Sequence, residues 1–194
     1  VWCCFVTDGI RVVVWGGSEL VVIAAPDGSI LRCLTHPGVD QIQAAAFSPD
    51  GDCLVTGGSH HLAYVWHAQA SEPTYVLKGH QGWVTSITFP SRGNSVATAS
   101  SDGATRLWDY WTGCELVIAR GYGVRFDATG RRLAGFTDSG VALYDVAFSA
   151  RQTGKNEAQP YEVHGAEIGP YSRLVASWSP DGIRVWDGAT AREL

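Results

Sequence analysis

The chain has 194 residues, 45% of them hydrophobic and 17% charged, with eight Trp and 23 Gly. That balance excludes a disordered chain, and the aromatic and Gly load favours short strands with tight turns over long helices. The formal net charge is −5 and no basic block is present to neutralise a row of phosphates, which argues against a nucleic-acid partner.

In chain order, the first unit has apolar segments at Trp2 to Phe5, Val12 to Trp15 and Leu20 to Ala24, with a turn at Asp8-Gly9. The second runs from Phe47-Ser48-Pro49-Asp50-Gly51 through Leu54 to Gly58 and on to Leu62 to Trp66. The third is the fullest: Gly79-His80, Val84 to Phe89, Gly93, Val96 to Ser100, Asp102-Gly103, then Thr105 to Trp108-Asp109. The fourth has Val124 to Phe126, Gly130, Leu133 to Phe136, Asp138 and Val141 to Tyr144-Asp145. The fifth has Leu174 to Ser177, Asp181-Gly182 and Ile183 to Trp186-Asp187, with no clear first strand between Glu167 and Tyr171.

If Ala24, Trp66, Trp108, Tyr144 and Trp186 fill one recurring slot, the steps are 42, 42, 36 and 42 residues. A period near ~40–45 with several strands per unit is the signature of propeller blades. Each sheet has two apolar faces and cannot bury them alone, so the sheets must stack. The expected fold is all-β: a β-propeller segment of four to five four-stranded antiparallel blades in an incomplete ring. The blades divide near 1-35, 36-78, 79-119, 120-164 and 165-194. The polar stretch from Ser149 to Glu157 is expected to be an extended loop between the third and fourth strands of its blade. The chain contains no Met, and it is expected to be a piece of a longer one whose end blades expose apolar faces when isolated.

The five cysteines, Cys3, Cys4, Cys33, Cys53 and Cys114, form no C-x-x-C pair and no even framework. They are expected to be small buried residues within strands, which fits a reducing, cytoplasmic setting. The longest apolar stretch, Ile10 to Ala25, is broken by Arg11 and by Gly16-Gly17-Ser18-Glu19, so no membrane span is expected. Nor does a charged leader with a cleavage site appear.

On the Gly-His opening, the turn Asp and the terminal Trp-Asp, the chain resembles the WD-repeat family, and the phrases around Phe126 to Ala134 and Asp181 to Leu194 resemble bacterial-type multi-repeat chains. The resemblance implies a seven-bladed ring and a structural tetrad, which falls on His80, Thr98, Asp102 and Trp108. Elsewhere the match decays. Thr56 and Trp66 are kept but His60 replaces the Asp; Asp138 is kept but Tyr144 replaces the Trp; Asp181 and Trp186 are kept in the last unit.

His60, His61 and His67 cluster in sequence, but no Cys or carboxylate stands at ligand spacing, so no metal or cofactor is expected. No nucleophile elbow and no phosphate loop is present. The expected function is a non-catalytic interaction scaffold, binding a protein partner or an adjacent domain of its own chain. The alternative is a propeller enzyme with a channel-end hydrolase or metal site, for which the first strands offer only Arg125.

The resemblance places the partner on the face bearing the inter-blade loops and the tetrad turn. Gln81, Trp83 and Ser101 reach it in the best blade, Val39, Gln41 and Ser59 in the one before, and Tyr122 and Thr137 in the one after. Trp83 is the favoured anchor, as a large aromatic beside a loop; the competing reading packs it against the next blade's edge. Trp111, on the opposite rim, is a second candidate.

Overall fold

A computed structural model describes residues 2–5, 11–24, 27–37, 41–67, 70–137, 140–146, 151–155, 165–168, 174–179, 182–187 and 194. Short apolar runs punctuated by Gly and Asp turns form strands throughout these residues. The first sheet contains β1 (Trp2–Phe5), β2 (Arg11–Gly16), β3 (Glu19–Ala24) and β4 (Ile30–Thr35). The second contains β5 (Ile42–Phe47), β6 (Cys53–Gly58), β7 (Leu62–His67) and β8 (Tyr75–Lys78). The third contains β9 (Val84–Thr88), β10 (Ser95–Ser100), β11 (Ala104–Asp109) and β12 (Cys114–Arg120). The fourth contains β13 (Gly123–Phe126), β14 (Arg132–Thr137), β15 (Gly140–Asp145) and β16 (Arg151–Lys155), and the last β17 (Gly165–Ile168), β18 (Leu174–Ser179) and β19 (Gly182–Asp187).

Among the described residues every sheet is an antiparallel meander in chain order, four of them four-stranded and the last three-stranded. The five do not close a ring among the described residues, as expected of a propeller segment. Because successive strands reverse, the turns between second and third strands share one rim with the connections from sheet to sheet. This is called the upper rim below. The turns between first and second and between third and fourth strands lie on the lower rim.

The repeated aromatic slot explains the stacking. Trp66 is 1% exposed and packs with Val13, Trp15, Leu20, Val22 and Leu34 of the first sheet. Trp108, 2% exposed, packs with Cys53, Val55, Ala63 and Val65 of the second. Tyr144 reaches Ala97 and Leu107 of the third, and Trp186 reaches Ala134, Phe136 and Leu143 of the fourth. Each aromatic therefore buries its ring against the preceding sheet, and one such ring per unit helps cover the face that an isolated sheet would expose to water.

Strand register corrects the slot in the first sheet. Leu54 faces Trp66, Val96 faces Trp108, Leu133 faces Tyr144 and Val175 faces Trp186. The matching pair in the first sheet is Val12 and Ile23, with Ala24 opposite Arg11. The slot is thus Ile23 and not Ala24, a one-residue difference that matters because adjacent strand positions face opposite sides.

Three further expectations change. Arg151–Lys155 is the fourth strand of its sheet, paired with β15, and not part of a loop: an antiparallel edge needs only backbone groups and one packed face, so a polar run serves. The first strand of the last sheet exists as β17, pairing Gly165 with Trp178 and Ile168 with Val175. Cys53 is buried, but Cys33 and Cys114 are exposed, because they lie on β4 and β12, the outer strands that have no further strand beyond them. Asp8, Gly9, Asp138, His164 and Asp181 lie outside the described residues.

Candidate functional site

The third sheet carries the fullest polar arrangement. Thr98 is fully buried in the middle of β10, where its backbone pairs with Arg106 and its hydroxyl points at two rings. The indole N–H of Trp108 donates to Thr98 Oγ1 at 2.8 Å. The Nε2 of His80 lies 2.8 Å from the same oxygen, and its Nδ1 lies 3.1 Å from Asp102 Oδ2. A carboxylate only accepts, so Nδ1 carries the proton and Thr98 donates to Nε2, which leaves every buried group satisfied.

Asp102 holds the turn as well as the histidine. Its Oδ2 accepts from the Gln81 N–H at 2.7 Å and its Oδ1 from the Ala104 N–H at 2.8 Å. Burial pushes its pKa up, but the Gln81 and Ala104 amides and His80 outweigh that and hold the carboxyl below its ordinary value. Burial likewise pulls the His80 pKa down, and Asp102 offsets part of the drop. Gly103 closes the turn at φ +79°, a conformation that strains other residues.

This framework presents two aromatics on the upper rim. The Trp83 N–H donates to Ser101 Oγ at 2.9 Å, and the Ser101 N–H donates to the Trp83 carbonyl at 2.9 Å. The backbone of Trp83 is pinned, while the residue is 49% exposed. The geometry therefore disfavours the competing reading in which Trp83 is buried against the next sheet. Tyr122 is 41% exposed and lies across the same turn, 3.5 Å from where a Cβ on Gly103 would stand. Its carbonyl accepts from the Thr85 hydroxyl at 3.1 Å, which ties the fourth sheet's entrance to the third. Gln81 and Ser101 are exposed beside them.

The remaining candidates are less uniform. Gln41 is exposed and takes the place of Trp83 in the second sheet, its carbonyl accepting from the Ser59 N–H at 3.2 Å. Thr137 is half-buried and pairs with Gly140, which aligns it with Ser100 and not with Ser101, because the fourth sheet's turn is one residue shorter. Val39 lies outside the described residues. Trp111 is 45% exposed on the lower rim and stacks on His67 with centroids 4.6 Å apart. His67 Nδ1 in turn lies 2.9 Å from Cys53 Sγ, where burial pushes the thiol up to about 12, so the cysteine is an un-ionised packing residue.

Two partners escaped the sequence. Trp186 donates to Ser177 Oγ at 2.7 Å, as Trp66 donates to Thr56 at 2.9 Å. Ser177 was legible as the residue two places after the one facing the aromatic. His36, 2% exposed, lies 6.0 Å from Trp66 as His80 lies 6.4 Å from Trp108. It was hidden because Thr35 replaces the Gly and the loop after it is two residues longer.

Among the described residues no group of three or more His, Cys, Asp or Glu is placed to hold a metal ion. The WD domain, G-beta repeat family matches residues 22–67 and 71–109. A transcriptional corepressor of Arabidopsis thaliana, LEUNIG_HOMOLOG, is 27% identical over 91% of this chain and 22% of its own length. Pre-mRNA-processing factor 19 homolog 2 of the same plant is 36% identical over 54% of this chain and 20% of its own length. Eukaryotic translation initiation factor 3 subunit I of Eremothecium gossypii is 29% identical over 70% of this chain and 42% of its own length. The chain thus spans less than half of each of these relatives, all eukaryotic, and none supports the bacterial-type qualifier. With residues 22–67 and 71–109 matched, the tetrad assembled on the third sheet and an aromatic of each later unit seated on the sheet before it, the chain carries repeats of the WD-repeat family.

Proposed function

We propose that the chain is a non-catalytic interaction scaffold that binds a protein partner, or a neighbouring domain of its own chain, through the upper rim. The observation that carries this is Trp83: half its surface is in water although its backbone is fixed by Ser101 on both sides. A rigid exposed aromatic loses little entropy on binding and supplies a large contact area, which is what interface anchors require. Tyr122 extends the anchor onto the fourth sheet, and Gln81 and Ser101 supply polar groups at its margin.

The relatives support the reading at the level of role. Their names describe a transcriptional corepressor, a pre-mRNA-processing factor and a subunit of a translation initiation factor, roles that a protein-binding scaffold fits. A partner of the same class, a cytoplasmic setting, and the lack of nucleic-acid or membrane binding are part of this proposal; the net charge of −5 favours it over a phosphate-rich ligand.

The test compares Trp83→Ala with Trp111→Ala in partner capture, each checked for intact folding by its β-type circular dichroism. Capture lost with Trp83→Ala and kept with Trp111→Ala supports the upper rim; the reverse pattern moves the interface to the lower one.

A further inference from the structure

His36 stands in the second sheet where His80 stands in the third, yet its surroundings have been rebuilt. Register equates Thr56 with Thr98 and Trp66 with Trp108, and the Trp–Thr hydrogen bond survives. Around that bond three residues differ together. His60 replaces Asp102, Pro37 replaces Gln81, and Tyr64 replaces Arg106. Pro37 has no N–H with which to hold a carboxylate, so the loss of the Asp and the loss of its backbone donor go together. The edge-on contact of His36 with Tyr64, centroids 4.4 Å apart, replaces the hydrogen bonds that anchor His80.

The consequence is a buried imidazole without a clamp. Among the described residues no side chain pairs with either ring nitrogen of His36, on which only the Pro37 backbone acts as an acceptor, and the buried Ser59 Oγ beside this turn has no partner there. In the third sheet the corresponding atoms are satisfied: His80 by Asp102 and Thr98, and Ser101 Oγ by the Trp83 N–H. We propose that the upper corner of the second sheet is an acid-released latch: it is closed around an uncharged His36 and opens when His36 takes up a proton, while the Asp102-clamped corner of the third sheet responds less.

The groups that face His36 support this. From the β6–β7 turn comes His60, which repels a second positive charge, and from β7 comes Tyr64, which burial keeps protonated and neutral. From the first sheet comes the Ser18 carbonyl, engaged by the His36 amide at 2.8 Å, with exposed Glu19 next to it on β3. Burial pulls the His36 pKa down to about 4, His60 adds to the fall, and the Pro37 carbonyl opposes it. The closed form therefore binds the proton more weakly than the open form, where the value is near 6.5. Closure is at full strength above that value and weakens as pH falls from 6.5 towards 4. Within that window one extra proton makes opening about tenfold easier for each pH unit. Opening breaks the Ser59–Gln41 backbone bond of 3.2 Å and the His36–Ser18 bond of 2.8 Å, so it displaces two residues of the upper rim.

Hydrogen exchange on the protein tests the latch, whether or not the rim binds a partner. Protection at the Ser59 amide, corrected for intrinsic exchange, should fall about tenfold per pH unit below the open-state value, while protection at the Ser101 amide falls less. His36→Phe keeps a buried ring that cannot titrate, and should flatten the Ser59 response. His60→Asp restores a carboxylate beside the imidazole, and should make the response shallower. Titration of the His36 ring by NMR gives a second measure that needs no variant, and should place its pKa well below the ordinary histidine value. Ser59 protection that ignores pH, tracks Ser101, or keeps its slope in both variants overturns the proposal, as does an ordinary His36 pKa.

Discussion

The Tyr144 hydroxyl meets the backbone of Arg120, accepting from its N–H at 3.1 Å and donating to its carbonyl at 3.3 Å. Tyr144 fills the slot that holds Trp in the sheets on either side, and the strand position that would receive an indole N–H is Gly135. A Cβ on Gly135 would stand 2.6 Å from the Arg120 carbonyl oxygen, so the tyrosine and the glycine form one exchange. The ring still stacks on the third sheet, and its polar end is satisfied by β12, the last strand of that sheet. Tyr144→Phe should therefore cost about 1 kcal/mol in urea unfolding, with burial unchanged. A loss no larger than that of an exposed substitution would mean that the hydroxyl bond contributes nothing.

Thr98 and Thr56 occupy equivalent positions but serve different numbers of partners. Thr98→Val orphans both Trp108 Nε1 and His80 Nε2, whereas Thr56→Val orphans only Trp66 Nε1. At roughly 1–3 kcal/mol per buried group left unpaired, the third-sheet variant should lose clearly more stability. Equal losses would indicate that the His80–Thr98 bond adds no net stability.

Sheet stacking can be probed where a glycine of one sheet lies directly against a side chain of the next. A Cβ on Gly57 of β6 would lie 2.5 Å from Val84 Cγ1 of β9, inside the closest approach that atoms tolerate. Gly57→Ala should destabilise the chain by about 1–3 kcal/mol through overpacking, and the added Val84→Ala should recover part of it. Additive losses in the double variant would contradict this contact.

Acid should act on the third sheet in two stages. The His80 pKa is lowered chiefly by burial, so its contribution is full above the unfolded value of 6.5 and declines as pH falls below it. The depressed Asp102 carboxyl contributes above the unfolded value of 3.8 and is lost below it. Asp102→Asn removes the group that favours protonated His80, so thermal stability should fall more steeply just below pH 6.5 than in the unaltered protein. An unchanged slope there would show that the pair is not electrostatically coupled.

The sequence made the repeat legible because the constraint is local: a strand aromatic that must cover a neighbouring sheet recurs at fixed spacing, and the turns beside it need Gly or Asp. The tetrad of His80, Thr98, Asp102 and Trp108 was legible only through the resemblance to the WD-repeat family, because its four members are far apart in sequence. Register was harder to read. Ile23 and Ala24 are both apolar, and only their pairing with Val12 and Arg11 separates the slot from its neighbour. Residues 151–155 read as a loop because an outer strand can be polar, and Cys33 and Cys114 read as buried because composition cannot distinguish an outer strand from an inner one. His36 stayed hidden because its partners had been exchanged as a set, which removes the sequence sign while keeping the position.

Site-specific photocrosslinking measures the central claim most directly. A photoreactive side chain placed at Trp83, and separately at Leu116 on the outer strand, would be activated in the folded protein with its partner bound. The upper-rim account predicts adducts to the partner from position 83 and none from position 116. Adducts from 116 with none from 83 would contradict it and place the partner on the outer strands.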